Sequence, residues 1–109
     1  MSIRIANGRL HIVFPNGYTI SIINGPGSYS TNHDAPINLE SHKQPWESTT
    51  MEAACMKEDG SFVVVPGFES DFRDDDVAGW KDSEWIARFI QTTANLEPGQ
   101  AKPRLPWET

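Results

Sequence analysis

Apolar and polar residues alternate most sharply at the start of the chain. Ile3 and Ile5, then Leu10, Ile12 and Phe14, then Tyr18, Ile20 and Ile22 fall at every second position of three short runs. A period of two is the mark of a strand with one buried face. The runs are separated by Asn7-Gly8 and Pro15-Asn16-Gly17. Asn-Gly is the favoured pair for a two-residue type I′ hairpin turn, in which both positions need φ > 0. Such a turn sets Ala6 opposite Arg9, Ile5 opposite Leu10 and Ile3 opposite Ile12. A three-residue loop at Pro15-Asn16-Gly17, with Gly left-handed at its end, sets Phe14 opposite Tyr18 and Ile12 opposite Ile20. A two-residue loop there would pair Phe14 with Thr19 and mix the faces, so the three-residue register is predicted. The result is a meander with eight large apolar residues on one face. Its other face carries Arg4, Arg9, His11, Thr19 and Ser21, together with Val13 and Ile23.

The pattern then lapses. Residues 24–50 show neither period and collect Gly, Pro, Ser, Asn and His; connections of this length are uncommon and are often functional or mobile. MEAACMK and SFVVV flank Glu58-Asp59-Gly60 and predict a second hairpin, whose register is open because Ala53, Ala54 and Cys55 fit either face. Residues 66–81 read as a polar, acidic loop. Asp82 is a suitable N-cap, and Trp85, Ile86, Phe89, Ile90 and Ala94 recur at helical spacing, predicting a helix from Ser83 to about Asn95 that ends before Pro98-Gly99. The expected fold is α+β: an antiparallel sheet of about five strands with one C-terminal helix on its apolar face. Residues 1–97 form the expected domain and 98–109 an extended, Pro-rich tail.

Composition narrows the class. At 109 residues and 38 % hydrophobic content the chain suits one globular domain. No apolar run approaches the ~20 residues of a membrane span, and MSIRIANGRL lacks the features of a signal peptide. A single cysteine, Cys55, excludes an intrachain disulfide, which fits a reducing, cytoplasmic setting. The net charge of −6 disfavours direct nucleic-acid or anionic-membrane binding. That charge is uneven. Residues 1–43 hold Arg4, Arg9 and Lys43 against Asp34 and Glu40, whereas the remainder holds six basic and thirteen acidic residues.

Candidate chemistry is sparse. No nucleophile elbow, phosphate-binding Walker loop or metalloprotease motif occurs, so neither catalysis nor a cofactor is expected. His33, Asp34, Glu40 and His42 share a loop, but their spacing matches no standard metal site. The best ligand-binding candidate is INGPGSYSTNHDAP at residues 23–36. Gly25 and Gly27 would let backbone N–H groups approach a phosphate, Ser28 and Asn32 add polar side chains, Tyr29 offers a ring for stacking, and Arg9 lies on the neighbouring basic face. No helix signal follows the glycines, and the same composition is ordinary loop chemistry. Asp74, Asp75 and Asp76 offer a second candidate, a protein-binding acidic surface.

The segments NGYTISIINGPGSYSTNH, EAACMKEDGSFV, DDDVAGW and DSEWIARFI resemble small accessory proteins encoded by bacteriophages and prophages. The likeness spans most of residues 7–95. It implies a non-virion protein of the infected cytoplasm that blocks host defence, either by sequestering a nucleotide immune signal or by binding a defence complex such as a CRISPR effector. The expected function is therefore non-catalytic capture of a small nucleotide-like ligand by a homo-oligomer. A protein-binding inhibitor and a structural assembly module are the alternatives.

Overall fold

A computed structural model describes residues 2–36 and 46–104. Strands β1 (Ser2–Ala6), β2 (Arg9–Val13) and β3 (Thr19–Ile23) form the expected meander. Its register is the one the apolar pattern dictates, with Ile3 opposite Ile12, Ile5 opposite Leu10, and Ile12 opposite Ile20. The first turn differs in detail. Gly8 is left-handed (φ +81°) but Asn7 is not, so the turn is not type I′ although it preserves the pairing. At the second turn the Phe14 N–H donates to the Tyr18 carbonyl (2.8 Å) and Gly17 takes φ +92°, closing the three-residue loop.

The sheet continues through β4 (Thr50–Met56), which pairs with β3 on one side. Its other side is shared. Cys55 and Met56 pair with β5 (Phe62–Val63), and Thr50 to Ala53 pair with β6 (Ala78–Asp82). The β4–β5 pairing resolves the open register by setting Cys55 and Val63 together on the core side, 0 % and 2 % exposed. Strand β6 corrects the reading of residues 66–81 as loop throughout. Its AGWKD sequence lacks an apolar alternation, and the edge of β4 supplies the order instead.

Helix α1 (Ser83–Ala94) begins where expected, with the Asp82 carboxylate accepting from the Trp85 N–H (2.9 Å). Trp85, Ile86 and Phe89 are buried and Ile90 is half-buried, but the stripe ends at Thr93, not at Ala94. Thr93 lies four residues beyond Phe89, and its hydroxyl donates to the Phe89 carbonyl (2.8 Å), so burial leaves no orphaned polar group. The helix packs on β4 and β6 and leaves β1 uncovered. Ile3 and Ile5 share the apolar face yet remain 54 % and 77 % exposed.

The acidic segment also hides two core residues. Phe68 and Phe72 are buried, and their rings meet Trp85 and Phe89 at centroid distances of 5.2 to 6.3 Å. Each buried large side chain contributes ~1.5–3 kcal/mol. The Lys81 ammonium lies 2.7 Å from the Asp71 carboxylate and 5.4 Å from the Trp85 ring centre, closing this cluster to solvent. The first residues of the Pro-rich segment pack on the same body. Ala101 is buried, its N–H donates to the Tyr18 hydroxyl (2.8 Å), and Lys102 bridges Val64. Residues 105–109 lie outside the described residues. Among the described residues, no helix is long and apolar enough to cross a membrane.

One turn residue holds the meander to the helix. The Asn16 amide donates to the Thr93 and Leu96 carbonyls, both at 2.9 Å, while its oxygen accepts from the Tyr18 N–H (3.1 Å). Carbonyls at a helix C-terminus lack full intrahelical pairing; Asn16 gives the Leu96 carbonyl a side-chain donor and adds a second to the Thr93 carbonyl, which already accepts from the Leu96 N–H (3.2 Å). We expect Asn16→Ala to lower unfolding free energy by about 1–3 kcal/mol in urea titrations, against about 3–5 kcal/mol for Phe89→Ala. A loss at Asn16 within the scatter of an ordinary surface substitution would show that the turn does not brace the helix.

Candidate functional site

The candidate site lies on the sheet face opposite α1, where one cross-strand row makes the floor. Ala6 opposes Arg9, Arg9 opposes Ile23, and Ile23 opposes Glu52, so these four side chains share a face across β1 to β4. The chain leaving Ile23 then turns back over that row. The result is a cleft of about 700 Å³ lined by the row, by Asn7 and Gly8, by the Gly25–Tyr29 loop, and by Asp75 and Val77.

The loop wall is built from its own hydrogen bonds. The Ser28 N–H and hydroxyl both donate to the Gly25 carbonyl (3.2 and 2.6 Å), and the Gly27 N–H donates to the His33 carbonyl (3.0 Å). Ser28 and Ser30 are buried, with hydroxyls 2.7 Å apart. These bonds alter the expected role of the glycines. The Gly27 and Ser28 N–H groups that could have cradled a phosphate are turned inward, leaving Arg9 as the cation of the cleft. Asn32 also works from beneath. Its amide donates to the Asn24 and Glu47 carbonyls, both at 2.8 Å, and braces the loop without lining the cleft.

Tyr29 clamps the loop to the sheet. Its N–H donates to the Glu52 carboxylate (3.1 Å), and its carbonyl accepts from the Trp80 N–H (2.7 Å). The β4–β6 register slips between Met51 and Ala53, so Gly79 and Trp80 together face Glu52 in a β-bulge. Trp80 takes φ +59°, a left-handed conformation that costs a bulky residue on the order of 1–3 kcal/mol. Gly79 has no substitute here: a Cβ at that position would stand 2.6 Å from the Tyr29 Cβ. Outside the clamp, Tyr29 and Trp80 remain 44 % and 55 % exposed, with His33 between them at ring distances of 5.8 and 5.9 Å.

The electrostatics are mixed. Arg9 faces two carboxylates, Glu52 and Asp75, across one cleft. In the adjoining row His11 meets Ser21 at 3.1 Å, and burial, then Arg9 and Arg4, hold its pKa below the usual histidine value. Of the acidic candidates, Asp75 reaches the cleft, Asp74 is exposed, and Asp76 lies 3.5 Å from Arg104. Burial pushes the Cys55 thiol up to about 12, so it stays protonated at neutral pH. His42 and Glu40 lie outside the described residues; among the described residues no group of three His, Cys, Asp or Glu side chains is placed to hold a metal ion.

Arg9, Gly25, Gly27, Ser28 and Tyr29 are therefore brought to one place, and Asn32 supports them. Glu52 was not singled out from sequence. Its signal is present as the lone charge in MEAAC, directly before the buried run Ala53–Cys55. Trp80 carried no such signal, because its placement depends on the bulge. Comparisons with protein-family models, with curated proteins and with solved structures found no match to this chain.

Gly79→Ala should displace Tyr29 and lower stability by about 1–3 kcal/mol in urea titrations; an unchanged midpoint would contradict the close approach. His11 should titrate below 6.5 by NMR, and Arg9→Ala should move it upward. Because the unfolded chain binds that proton more readily, the His11 contribution to stability is present above pH 6.5 and is lost as pH falls through its folded pKa. A His11 titration unmoved by Arg9→Ala would show that the two side chains do not share a field.

Proposed function

We propose that this chain is a non-catalytic binding protein that captures a small phosphate-bearing, nucleotide-like ligand in the cleft between the β1–β2 turn and the Gly25–Tyr29 loop. The observation that carries the reading is the convergence of Arg9 with an exposed Tyr29 across a cleft of about 700 Å³. That volume falls within the ~300–1,000 Å³ of small-molecule sites. Arg9 supplies charge for a phosphate, and Tyr29 a face for a base. Glu52 and Asp75 would repel a bare anion but can accept from ribose hydroxyls or an exocyclic amine. A ligand carrying both kinds of group suits the cleft better than inorganic phosphate does.

The resemblance to phage-encoded accessory proteins extends this reading to an anti-defence role in the host cytoplasm, with the ligand a nucleotide immune signal. The edge strand β1, with Ile3 and Ile5 exposed beside a backbone edge that pairs with no strand among the described residues, supports a homo-oligomer. A second reading, inhibition of a host protein, draws on the strained and exposed Trp80 beside Tyr29 and the exposed Asp74 and Asp75.

Thermal-shift screening against mono-, di- and cyclic nucleotides should find at least one that raises the melting temperature, and Arg9→Ala or Tyr29→Ala should abolish the shift. No stabilisation by any nucleotide argues against the reading. Capture of a host protein that Asp74→Ala and Asp75→Ala abolish would favour the inhibitor instead. Light scattering at micromolar concentration should give a mass above the 12.2 kDa of one chain; a monomer would remove the oligomer from the account.

A further inference from the structure

A second cleft, of about 710 Å³, lies where the chain beyond α1 crosses the segment between β5 and β6. Arg73, Lys102 and Arg104 all line it. Against these three cations the lining holds one carboxylate, Glu69, whose oxygen already accepts from the Gly67 N–H (2.8 Å). The balance is the reverse of the first cleft, where two carboxylates face one arginine. The backbone at Lys102 is anchored to the sheet, since the Val64 N–H donates to the Lys102 carbonyl at 2.7 Å.

The Arg104 guanidinium is incompletely satisfied. Its Nε is buried and has no hydrogen-bond acceptor among the described residues. The nearest carboxylate oxygen, on Asp76, stands 3.5 Å away, beyond the ~2.7–2.9 Å of a charge-assisted hydrogen bond. A buried donor without an acceptor is costly, more so when it is charged. An oxyanion in the cleft would supply the acceptor, and guanidinium groups suit phosphate and carboxylate oxygens in planar, paired contacts. The lining also offers apolar surface at Val64, Pro66 and Pro103, beside the polar Ser70 and Gln100. Bare phosphate would leave that surface unused.

We propose that this cleft binds a small organic oxyanion, a phosphate monoester or carboxylate, with its charged head at Arg104, Lys102 and Arg73 and its apolar body against Pro66 and Pro103. It is separate from the cleft at Arg9, and neither site's ligand depends on the other's. The head group and the apolar body each contribute, so the site prefers an aryl anion to inorganic phosphate.

Two-dimensional NMR of the full chain, following backbone amides and the Arg104 Nε–Hε signal, tests the site with phenyl phosphate, benzoate, inorganic phosphate and benzyl alcohol. Saturable shifts at Arg104 and Lys102 are expected with phenyl phosphate or benzoate. The stronger of the two identifies the natural head group, and inorganic phosphate and the neutral alcohol should bind more weakly than either. Lys102→Gln and Arg73→Gln, both at exposed side chains, should each weaken binding roughly tenfold, while Arg9→Ala leaves it unchanged. Shifts that do not saturate, or that survive the Lys102→Gln/Arg73→Gln double variant, would overturn the proposal. So would equal affinity for inorganic phosphate. Loss of binding in Arg9→Ala would assign the effect to the first cleft.

Discussion

The backbone of Tyr29 is the joint on which the candidate site depends. Its N–H reaches the Glu52 carboxylate on β4 and its carbonyl receives the Trp80 N–H from β6, so a single residue of an irregular loop is tied to two strands. Asn24 and Thr31 fix the ends of the segment after β3, through the Gly8 carbonyl and the Thr50 N–H, and the Tyr29 bonds hold the wall between them against the row Ala6–Arg9–Ile23–Glu52. The joint imposes local costs. Gly79 must lack a side chain so that Tyr29 can approach, and Trp80 must accept a left-handed φ. Strain held in place by surrounding structure is often found where the geometry it produces is used. Here that geometry sets an exposed Trp80 and an exposed Tyr29 on either side of His33.

Strand β4 distributes the consequences. Because β5 and β6 share one of its sides, the core face divides between a half covered by α1 and the aromatic cluster of Phe68, Phe72, Trp85 and Phe89, and a half around β1 where Ile3 and Ile5 meet solvent. On the opposite face the same strand contributes Glu52 to the first cleft. The second cleft forms farther along, where the 66–76 segment returns past the chain beyond α1. The uneven charge of the sequence therefore does not map onto one acidic surface. Asp71 pairs with Lys81, Asp76 lies near Arg104, and three of the cations from the acidic part of the chain gather around one cleft.

Much of this was legible in the residues wherever local periodicity and tertiary order agree. The alternation of Ile3 to Ile22 and the loop lengths set the meander register, and Asp82 followed by Trp85, Ile86 and Phe89 located the helix. Legibility failed where order comes from a distant neighbour. AGWKD has no strand pattern, and its pairing with Thr50–Ala53 depends on the edge of β4. Phe68 and Phe72 sit among acidic residues whose polarity masks them, and their burial depends on Trp85 and Phe89 of a helix later in the chain. For the site, proximity of Arg9 to the glycine loop followed from the register of β2 and β3. The inward direction of the loop's N–H groups did not, because it is set by the His33 and Gly25 carbonyls, and a glycine count carries no such information.

The central claim is that the cleft is formed before any ligand arrives, by the docking of Tyr29 on the bulge of β6. Amide hydrogen exchange of the unligated protein reads this directly. The Tyr29 and Trp80 N–H groups should exchange as slowly as the paired amides of β4, because each has a defined acceptor at 3.1 and 2.7 Å. Exchange of both at the rate of an open loop, with β4 still protected, would mean that the wall is not in place and would contradict the account.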